Sequence, residues 1–236
     1  IYDDGGMKNF IKSMLGNNIL ELDQASSLTP SFPASAIKKP IPLKIPILFY
    51  CGINWEKELK ITSRHEAFFN MLDVMDNVRF FGPEINWKDY KNYCGQIPFD
   101  GFSILEEIRK CGVVLALSSK WHYRAGSVTN RIYEACAAGA VIITDDNTFV
   151  KKNFGDTVLY IDFDSNRPNL MVKQVKSHLE WIRKNPKEAM ELASRSQAIF
   201  LKKFTLEKQI KTIINNHDKR QLAVAHAKHS KVKQTQ

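Results

Sequence analysis

Three side chains able to bind a phosphorylated ligand lie close together in the sequence. Ser127, Arg131 and Glu134 are separated by four and three residues, so a helix places them as neighbours along one side. The start of a helix has free backbone N–H groups and a partial positive charge, which together favour an anion. Arg131 can add a bidentate grip on phosphate, and the Glu134 carboxylate can accept hydrogen bonds from ribose hydroxyls. This pattern indicates a nucleotide site; pairing of Arg131 with an acid such as Asp145 is the alternative.

A helix between two buried strands must hold these side chains in place. The spacing predicts the helix over 127–138, with Ser127 or Thr129 as its N-terminal cap. Gly139 ends the helix, and an apolar strand follows at once. The three side chains therefore lie just beyond the carboxyl end of the preceding strand.

Short apolar runs alternate with amphipathic stretches through the middle of the chain. Most of the runs are apolar at every position, which is typical of parallel strands covered on both faces. We expect an α/β fold, a Rossmann-like parallel sheet of about five strands covered by helices, with a helical C-terminal extension. Ligands bind beyond the carboxyl ends of such strands. The predicted strands are 47–51, 78–81, 113–117, 141–144 and 158–161, and the predicted helices are 65–74, 102–110, 127–138, 149–153, 169–184, 186–202 and 205–216.

Composition divides the chain into three parts. Residues 1–45 are expected to be a linker or lead-in from an N-terminal domain outside this sequence, because dense prolines exclude a long helix or a central strand. They would form an interdomain linker or a surface strap. Residues 46–216 carry the strand–helix alternation and are expected to form the Rossmann-like domain. The prolines are Pro30, Pro33, Pro40, Pro42 and Pro46.

The last part, residues 217–236, is expected to be a basic, disordered tail. It holds five Lys or Arg against one Asp, which supplies +4 of the net charge of +9. An arm for nucleic acid or an anionic membrane surface is the alternative. The tail has no aromatic residue to stack on bases, so a nucleic-acid partner is not favoured.

Composition and motifs also exclude several classes of protein. The four cysteines form no C-x-x-C pair, which argues against a disulfide scaffold or a zinc ribbon and favours a reducing compartment. No apolar run approaches 18 residues, so no transmembrane segment is expected. The sequence lacks G-x-G-x-x-G, G-x-x-x-x-G-K-[ST], G-x-S-x-G and H-E-x-x-H motifs and any metal-ligand spacing. We expect a cytoplasmic chain, with peripheral membrane association left open.

Two overlapping motifs resemble the C-terminal half of the GT-B glycosyltransferases. The sequence from Glu134 to Ile142, E-A-C-A-A-G-A-V-I, is similar to the E-A-hydrophobic-A-C/S-G and P-V-I pattern of those enzymes. The S-x-x-x-R-x-x-E-A spacing from Ser127 to Ala135 resembles the group-one and exostosin-like branches. The resemblance covers about residues 45–215.

This resemblance implies that the chain is the donor-binding half of a glycosyltransferase. It implies a UDP- or GDP-linked sugar as donor, a saccharide or protein as acceptor, and an N-terminal domain that supplies the acceptor site and catalytic base. No cofactor or metal is expected, because the helix start and an arginine supply positive charge. This half alone is expected to transfer no sugar efficiently. The implied substrate-binding residues are Gly52, Asn54, Ile97, Phe99, Ser127, Thr129, Asn130, Arg131 and Glu134.

One departure from the family pattern concerns stereochemistry. Many retaining members have a second Glu eight residues before the ribose-binding one, and Gly126 stands there in this chain. Neither stereochemistry nor a catalytic residue is therefore assigned, and His122 is only a weak candidate for the base. Two alternatives stay open: a non-catalytic Rossmann-like module that binds a nucleotide or protein, and a nucleic-acid-binding domain.

Overall fold

A computed structural model describes residues 29–53, 65–119, 122–123, 127–162 and 166–233. Within these residues, five strands form one parallel sheet in the order β2-β1-β3-β4-β5. This confirms the expected Rossmann-like α/β fold. The strands are β1 Ile47–Cys51, β2 Val78–Phe81, β3 Gly112–Ala116, β4 Val141–Thr144 and β5 Leu159–Tyr160. The helices are α1 Glu66–Asp73, α2 Glu84–Trp87, α3 Ser103–Cys111, α4 Asn130–Ala138, α5 Thr148–Phe154, α6 Pro168–Lys184, α7 Pro186–Lys203 and α8 Leu206–Lys233.

A single residue pair extends the sheet beyond β2. Phe80 and Tyr93 form a parallel bridge: Phe80 N donates to Asn92 O at 3.0 Å, and Cys94 N donates to Phe80 O at 2.9 Å. Counting this position, the sheet has the 3-2-1-4-5-6 order of dinucleotide-binding folds, with its outermost strand reduced to one pair. The order reverses between β1 and β3, so their carboxyl ends border the crevice where ligands bind in such sheets.

The two faces of the sheet carry separate apolar layers, because side chains alternate along each strand. One layer joins the sheet to α3 and α4, and the other joins it to α1 and α6. Both layers contain several aromatic side chains. The first is built around Phe49, Phe81, Val114, Ile108 and Ile132, and the second around Leu48, Phe80, Leu115, Leu72 and Val175.

Residues 29–46, which we call the strap, pack against both layers: Phe32, Ala36 and Ile37 lie on the first and Leu43 on the second. At the start of the strap, Thr29 N donates to Gln209 Oε1 at 2.8 Å, and Thr29 Oγ1 donates to Phe204 O at 2.9 Å. The rings of Phe32 and Phe200 lie 6.1 Å apart. These contacts attach the strap to the junction of α7 and α8.

The middle of the strap is held at the end of α4. Lys38 N donates to Ala137 O at 3.0 Å, and Gln197 Nε2 donates to Lys38 O at 2.8 Å. Gly139 has a φ of +73°, and a Cβ there would lie 2.7 Å from Lys38 O. The strap therefore approaches the helix end so closely that only glycine fits.

The structure corrects three predicted elements. Helix α8 continues to Lys233 rather than ending near 216 before a disordered tail, because residues 206–233 hold no Gly or Pro and many strong helix formers. Helix α4 begins at Asn130, three residues later than predicted. The short helix α2 was not predicted; Pro83 precedes it, and the φ of Pro83 near −60° suits a helix start.

No helix in the described ranges is long and apolar enough to cross a membrane.

Candidate functional site

The N-terminus of α4 lies beyond the carboxyl end of β3, where the anion site was expected. Thr129 caps the helix: its backbone is extended, and its Oγ1 accepts a hydrogen bond from Arg131 N at 3.4 Å. Ser127 is not the cap; its carbonyl oxygen accepts a hydrogen bond from Asn147 Nδ2 at 2.9 Å. Thr129 is therefore the correct choice of the two predicted caps, and Ser127 instead joins the loop before α4 to the loop after β4.

Arg131 and Glu134 form an ion pair on the first turns of α4. Nη1 of Arg131 contacts Oε2 of Glu134, and the two side chains are only 18% and 10% exposed. The acid that pairs with Arg131 is therefore Glu134, rather than the Asp145 considered from sequence. Burial raises the pKa of Glu134, and the adjacent guanidinium offsets part of that rise. The pair presents a cation and an acceptor at one point of the crevice.

The end of β1 borders this pair. Burial raises the pKa of the Cys51 thiol, while Arg131 lowers it and Glu134 raises it further. The charges of the pair thus act on the last residue of β1. The carboxyl end of β1 and the first turns of α4 therefore form two sides of the same crevice.

Gly52 follows Cys51 and is fixed by its backbone. Gly52 N donates to Phe81 O at 3.2 Å, and Gly52 O accepts a hydrogen bond from Trp87 Nε1 at 2.8 Å. Trp87, which is fully buried, is a positioning residue that the sequence did not reveal, because its helix was not predicted. Asn54, which was predicted as a substrate-binding residue, lies outside the described residues.

The two substrate-binding residues predicted between β2 and α3, Ile97 and Phe99, lie in different surroundings. Ile97 packs partly against the apolar layer that contains Cys51 and Phe81. It lines a cavity of about 410 Å³ between β2 and α3. Phe99 is fully exposed at the turn before α3. The structure therefore places Ile97 beside the carboxyl ends of the strands and leaves Phe99 in solvent.

Asp100 fixes the turn that carries Phe99. Its Oδ1 accepts hydrogen bonds from Phe102 N at 3.0 Å and Ser103 N at 2.8 Å. Hydrogen bonds led by the Ser103 hydroxyl lower the pKa of Asp100. A charged carboxylate at pH 7 thus caps the start of α3.

A buried polar network that the sequence did not reveal closes the crevice near β4. Asp145 is fully buried and accepts a hydrogen bond from Ser118 N. Asn147 Nδ2 donates to Ser118 Oγ at 3.0 Å, and Asn147 Oδ1 accepts from Phe149 N at 2.8 Å. Burial raises the pKa of Asp145, and hydrogen bonds led by Ser118 offset part of the rise. In the sequence, the position of Asp145 and Asn147 directly after an apolar strand was the feature that could have indicated this network.

His122 lies on the loop between β3 and α4. Its Nδ1 accepts a hydrogen bond from Ser119 N at 3.0 Å, and burial lowers its pKa. The imidazole is therefore neutral at pH 7. Residues 120–121 and 124–126 of this loop are outside the described part of the chain, and they include Trp121 and Gly126.

The chain belongs to the glycosyl transferase-like family, whose model matches residues 63–215. The matched range contains β2 to β5 and all of α4, so it includes the Arg131–Glu134 pair. No curated protein matches the chain at a significant level.

Solved structures of other proteins share this fold. A glycosyltransferase from Rickettsia africae ESF-5 superposes with a TM-score of 0.55 at 11% identity, over 90% of this chain and 62% of that one. Sucrose-phosphate synthase from Thermosynechococcus elongatus gives 0.50 at 15% identity, over 93% and 58%. α,α-Trehalose 6-phosphate synthase from Burkholderia multivorans gives 0.50 at 13% identity, over 78% and 44%. The chain thus spans less than two thirds of each of these structures.

Proposed function

We propose that this domain binds the nucleoside diphosphate of a sugar donor for transfer to an acceptor. The observation that carries the proposal is the Arg131–Glu134 pair on the first turns of α4, at the strand-order reversal of a glycosyl transferase-like domain. A diphosphate needs positive charge, and a ribose needs an acceptor for its hydroxyls. The pair supplies both within one helical turn.

Six of the nine predicted residues receive a role in this proposal. Arg131 and the free N–H groups at the start of α4 bind the diphosphate, with Thr129 and Asn130 setting the helix start. The outer edge of Glu134 accepts the ribose hydroxyls, since a tenth of its side chain is exposed. Gly52 leaves room for the phosphates beside β1, and Ile97 packs on the base.

The leaving diphosphate gains negative charge as the sugar departs. Arg131 and the α4 dipole stabilise that charge from fixed positions, which is the electrostatic contribution expected of a preorganised site. The domain itself therefore needs no metal ion for this step. Before the donor binds, the Glu134 carboxylate holds the Arg131 guanidinium in place. Once the donor is bound, the guanidinium contacts both Glu134 and the diphosphate.

We also propose the finer assignments that the motif spacing implies. The spacing from Ser127 to Ala135 places the chain in the group-one or exostosin-like branch, with a UDP- or GDP-linked donor. An opposing N-terminal domain would bring a saccharide or protein acceptor and the catalytic base, and the setting would be cytoplasmic. Family membership favours this function over a non-catalytic module or a nucleic-acid-binding domain.

Calorimetric titration with UDP, GDP and a short oligonucleotide tests the proposal. Arg131→Ala and Glu134→Gln should each weaken binding of the preferred nucleotide by about 1.5–3 kcal/mol, as for hydrogen bonds to charged groups. Arg131→Lys keeps the positive charge but loses the bidentate guanidinium fork, so we expect a smaller loss of nucleotide affinity than in Arg131→Ala. Arg195→Ala is the matched control, because Arg195 forms an exposed ion pair with Asp156. Equal affinities in all five proteins would refute the site, and salt-steep oligonucleotide binding would favour nucleic acid.

A further inference from the structure

The loop after β4 is fastened to the carboxyl end of β3. Thr144 Oγ1 donates to Ala116 O at 2.8 Å, and the Asp145 carboxylate accepts a hydrogen bond from Ser118 N. Thr144 and Asp145 are both buried, where the low dielectric strengthens hydrogen bonds. The two strand ends therefore form one fixed base at the edge of the crevice.

Asn147 extends from this base to the segment before α4. Its Nδ2 donates to Ser118 Oγ at 3.0 Å and to Ser127 O at 2.9 Å. Its Oδ1 accepts hydrogen bonds from Phe149 N at 2.8 Å and Val150 N at 3.4 Å. The side chain is fully buried, and both the donor and the acceptor ends of its amide are used. Asn147 thus connects the end of β3, the residues before α4 and the start of α5.

Ser127 locates the start of α4. Its N–H donates to His122 O at 3.0 Å, and its carbonyl oxygen receives the bond from Asn147, so it is held through both of its backbone polar groups. Thr129, the cap of α4, follows two residues later. A shift of Ser127 would therefore move the free N–H groups at the start of α4.

The contact with Ser127 depends on the amide of Asn147. An aspartate at this position could cap α5 as well as asparagine does, but a carboxylate has no hydrogen to donate to the Ser127 carbonyl. A serine could also cap α5, but it is shorter and lacks the amide donor. The bond to Ser127 is thus lost in both replacements, whereas the cap of α5 is kept.

We propose that Asn147 is a positioning residue for diphosphate binding: it holds Ser127, and hence the N-terminus of α4, in place relative to β3 and β4. A binding site loses affinity when its groups move by more than about 0.5 Å from the productive geometry. Because Asn147 is fully buried, it acts through α4 and not by touching the donor. This inference rests on the proposed function, in which the α4 N-terminus binds the diphosphate.

Calorimetric titration with UDP, GDP, uridine and guanosine tests this role. Asn147→Asp and Asn147→Ser should each lower the affinity for the preferred diphosphate about tenfold, as for loss of a buried hydrogen bond, and change the affinity for its nucleoside less than about twofold. The nucleoside lacks the phosphates that the α4 N-terminus binds, and Glu134 lies a full turn further along the helix. A general loosening of the domain would lower both affinities. Asn147→Ser adds no buried charge, so it serves as the second test should Asn147→Asp unfold.

Asn153→Asp is the matched control. Asn153 Nδ2 donates to the carbonyl oxygen of Phe149 at 3.0 Å. This variant therefore also replaces an amide donor by a carboxylate close to the start of α5, but it leaves Ser127 held by Asn147. It should bind the diphosphate and the nucleoside as the wild-type chain does.

The titrations separate this inference from the proposed function. A selective loss of diphosphate affinity in the Asn147 variants, with Asn153→Asp unchanged, supports the positioning role. Equal losses for diphosphate and nucleoside, or no loss in Asn147→Ser, overturn it. If Arg131→Ala still weakens diphosphate binding in that case, only the role of Asn147 is wrong; if Arg131→Ala also binds as the wild type does, the proposed function fails with it.

Discussion

Replacing Arg131 by alanine should destabilise the domain in a pH-dependent way. The side chains of Arg131 and Glu134 are 18% and 10% exposed, so the pair lies between a surface ion pair, worth about 0–1 kcal/mol, and a buried one whose rupture costs about 3–5 kcal/mol. We expect a loss of about 2–3 kcal/mol at pH 8. For a chain of 236 residues, this corresponds to a drop in melting temperature of roughly 4–12 °C.

The direction of the pH effect follows from the pKa of Glu134, which burial raises above its usual value. The stability that the protonated acid contributes is complete below pH 4.5, the ordinary pKa of Glu, and is lost as the pH rises through the higher folded value. Without the guanidinium, the folded pKa of Glu134 rises further. The loss in Arg131→Ala should therefore be smaller at pH 5 than at pH 8.

Urea unfolding at pH 5 and pH 8 measures this difference. The double variant Arg131→Ala/Glu134→Gln removes the stranded carboxylate, so it should recover part of the stability at pH 8 and unfold with little pH dependence from this site. Equal losses of unfolding free energy at both pH values, with no recovery in the double variant, would refute the inference that Arg131 stabilises the charged carboxylate of Glu134.

Two further predictions concern the strap and the C-terminal helix. Gly139→Ala should lower stability by about 2–4 kcal/mol, through backbone strain and displacement of the strap. Gly101 also has a positive φ of +82°, but a Cβ there would lie 3.9 Å from Ser31 O, at ordinary contact distance, so Gly101→Ala should cost only about 1–2 kcal/mol. Equal losses in urea unfolding would contradict a close approach by the strap at Gly139. A chain ending at Asn216 should keep its melting temperature within about 3 °C but show less helical circular dichroism. The melting temperature should hold because the described side chains of α8 beyond residue 216 are exposed. A large fall in melting temperature would show that the end of α8 is needed for stability.

The strands were predictable because most of their residues are apolar, and β3 and β4 are buried at every position. The predicted bounds of β1, β2 and β4 equal those observed, since each is an uninterrupted run of mainly apolar residues bounded by polar or turn residues. The helix between Thr129 and Gly139 was predictable for a similar reason: capping residues have strong local preferences. Strand runs and helix caps both depend on residues close together in the chain, so they can be recognised from the sequence alone.

Contacts between distant segments were not predictable in the same way. The Arg131–Glu134 pair is different, because its two residues are three apart on one helix, where oppositely charged side chains are neighbours. The attachment of the strap depends on Gln197 and Gln209, whose amides are ordinary in sequence. The burial of Asp145 likewise required the positions of Ser118 and Asn147, which meet it only in the folded domain.

The strap has a consequence for the order in which the molecule folds during synthesis. Thr29 and its hydrogen-bond partner Gln209 are 180 residues apart, and Lys38 and Gln197 are 159 residues apart. At a translation rate of about 5–20 residues per second, Thr29 waits roughly 9–36 seconds for its partner to be made. The earliest described residues of the chain therefore complete their contacts last. Until then, the end of α4 and the outer surface of the first apolar layer stay accessible to chaperones.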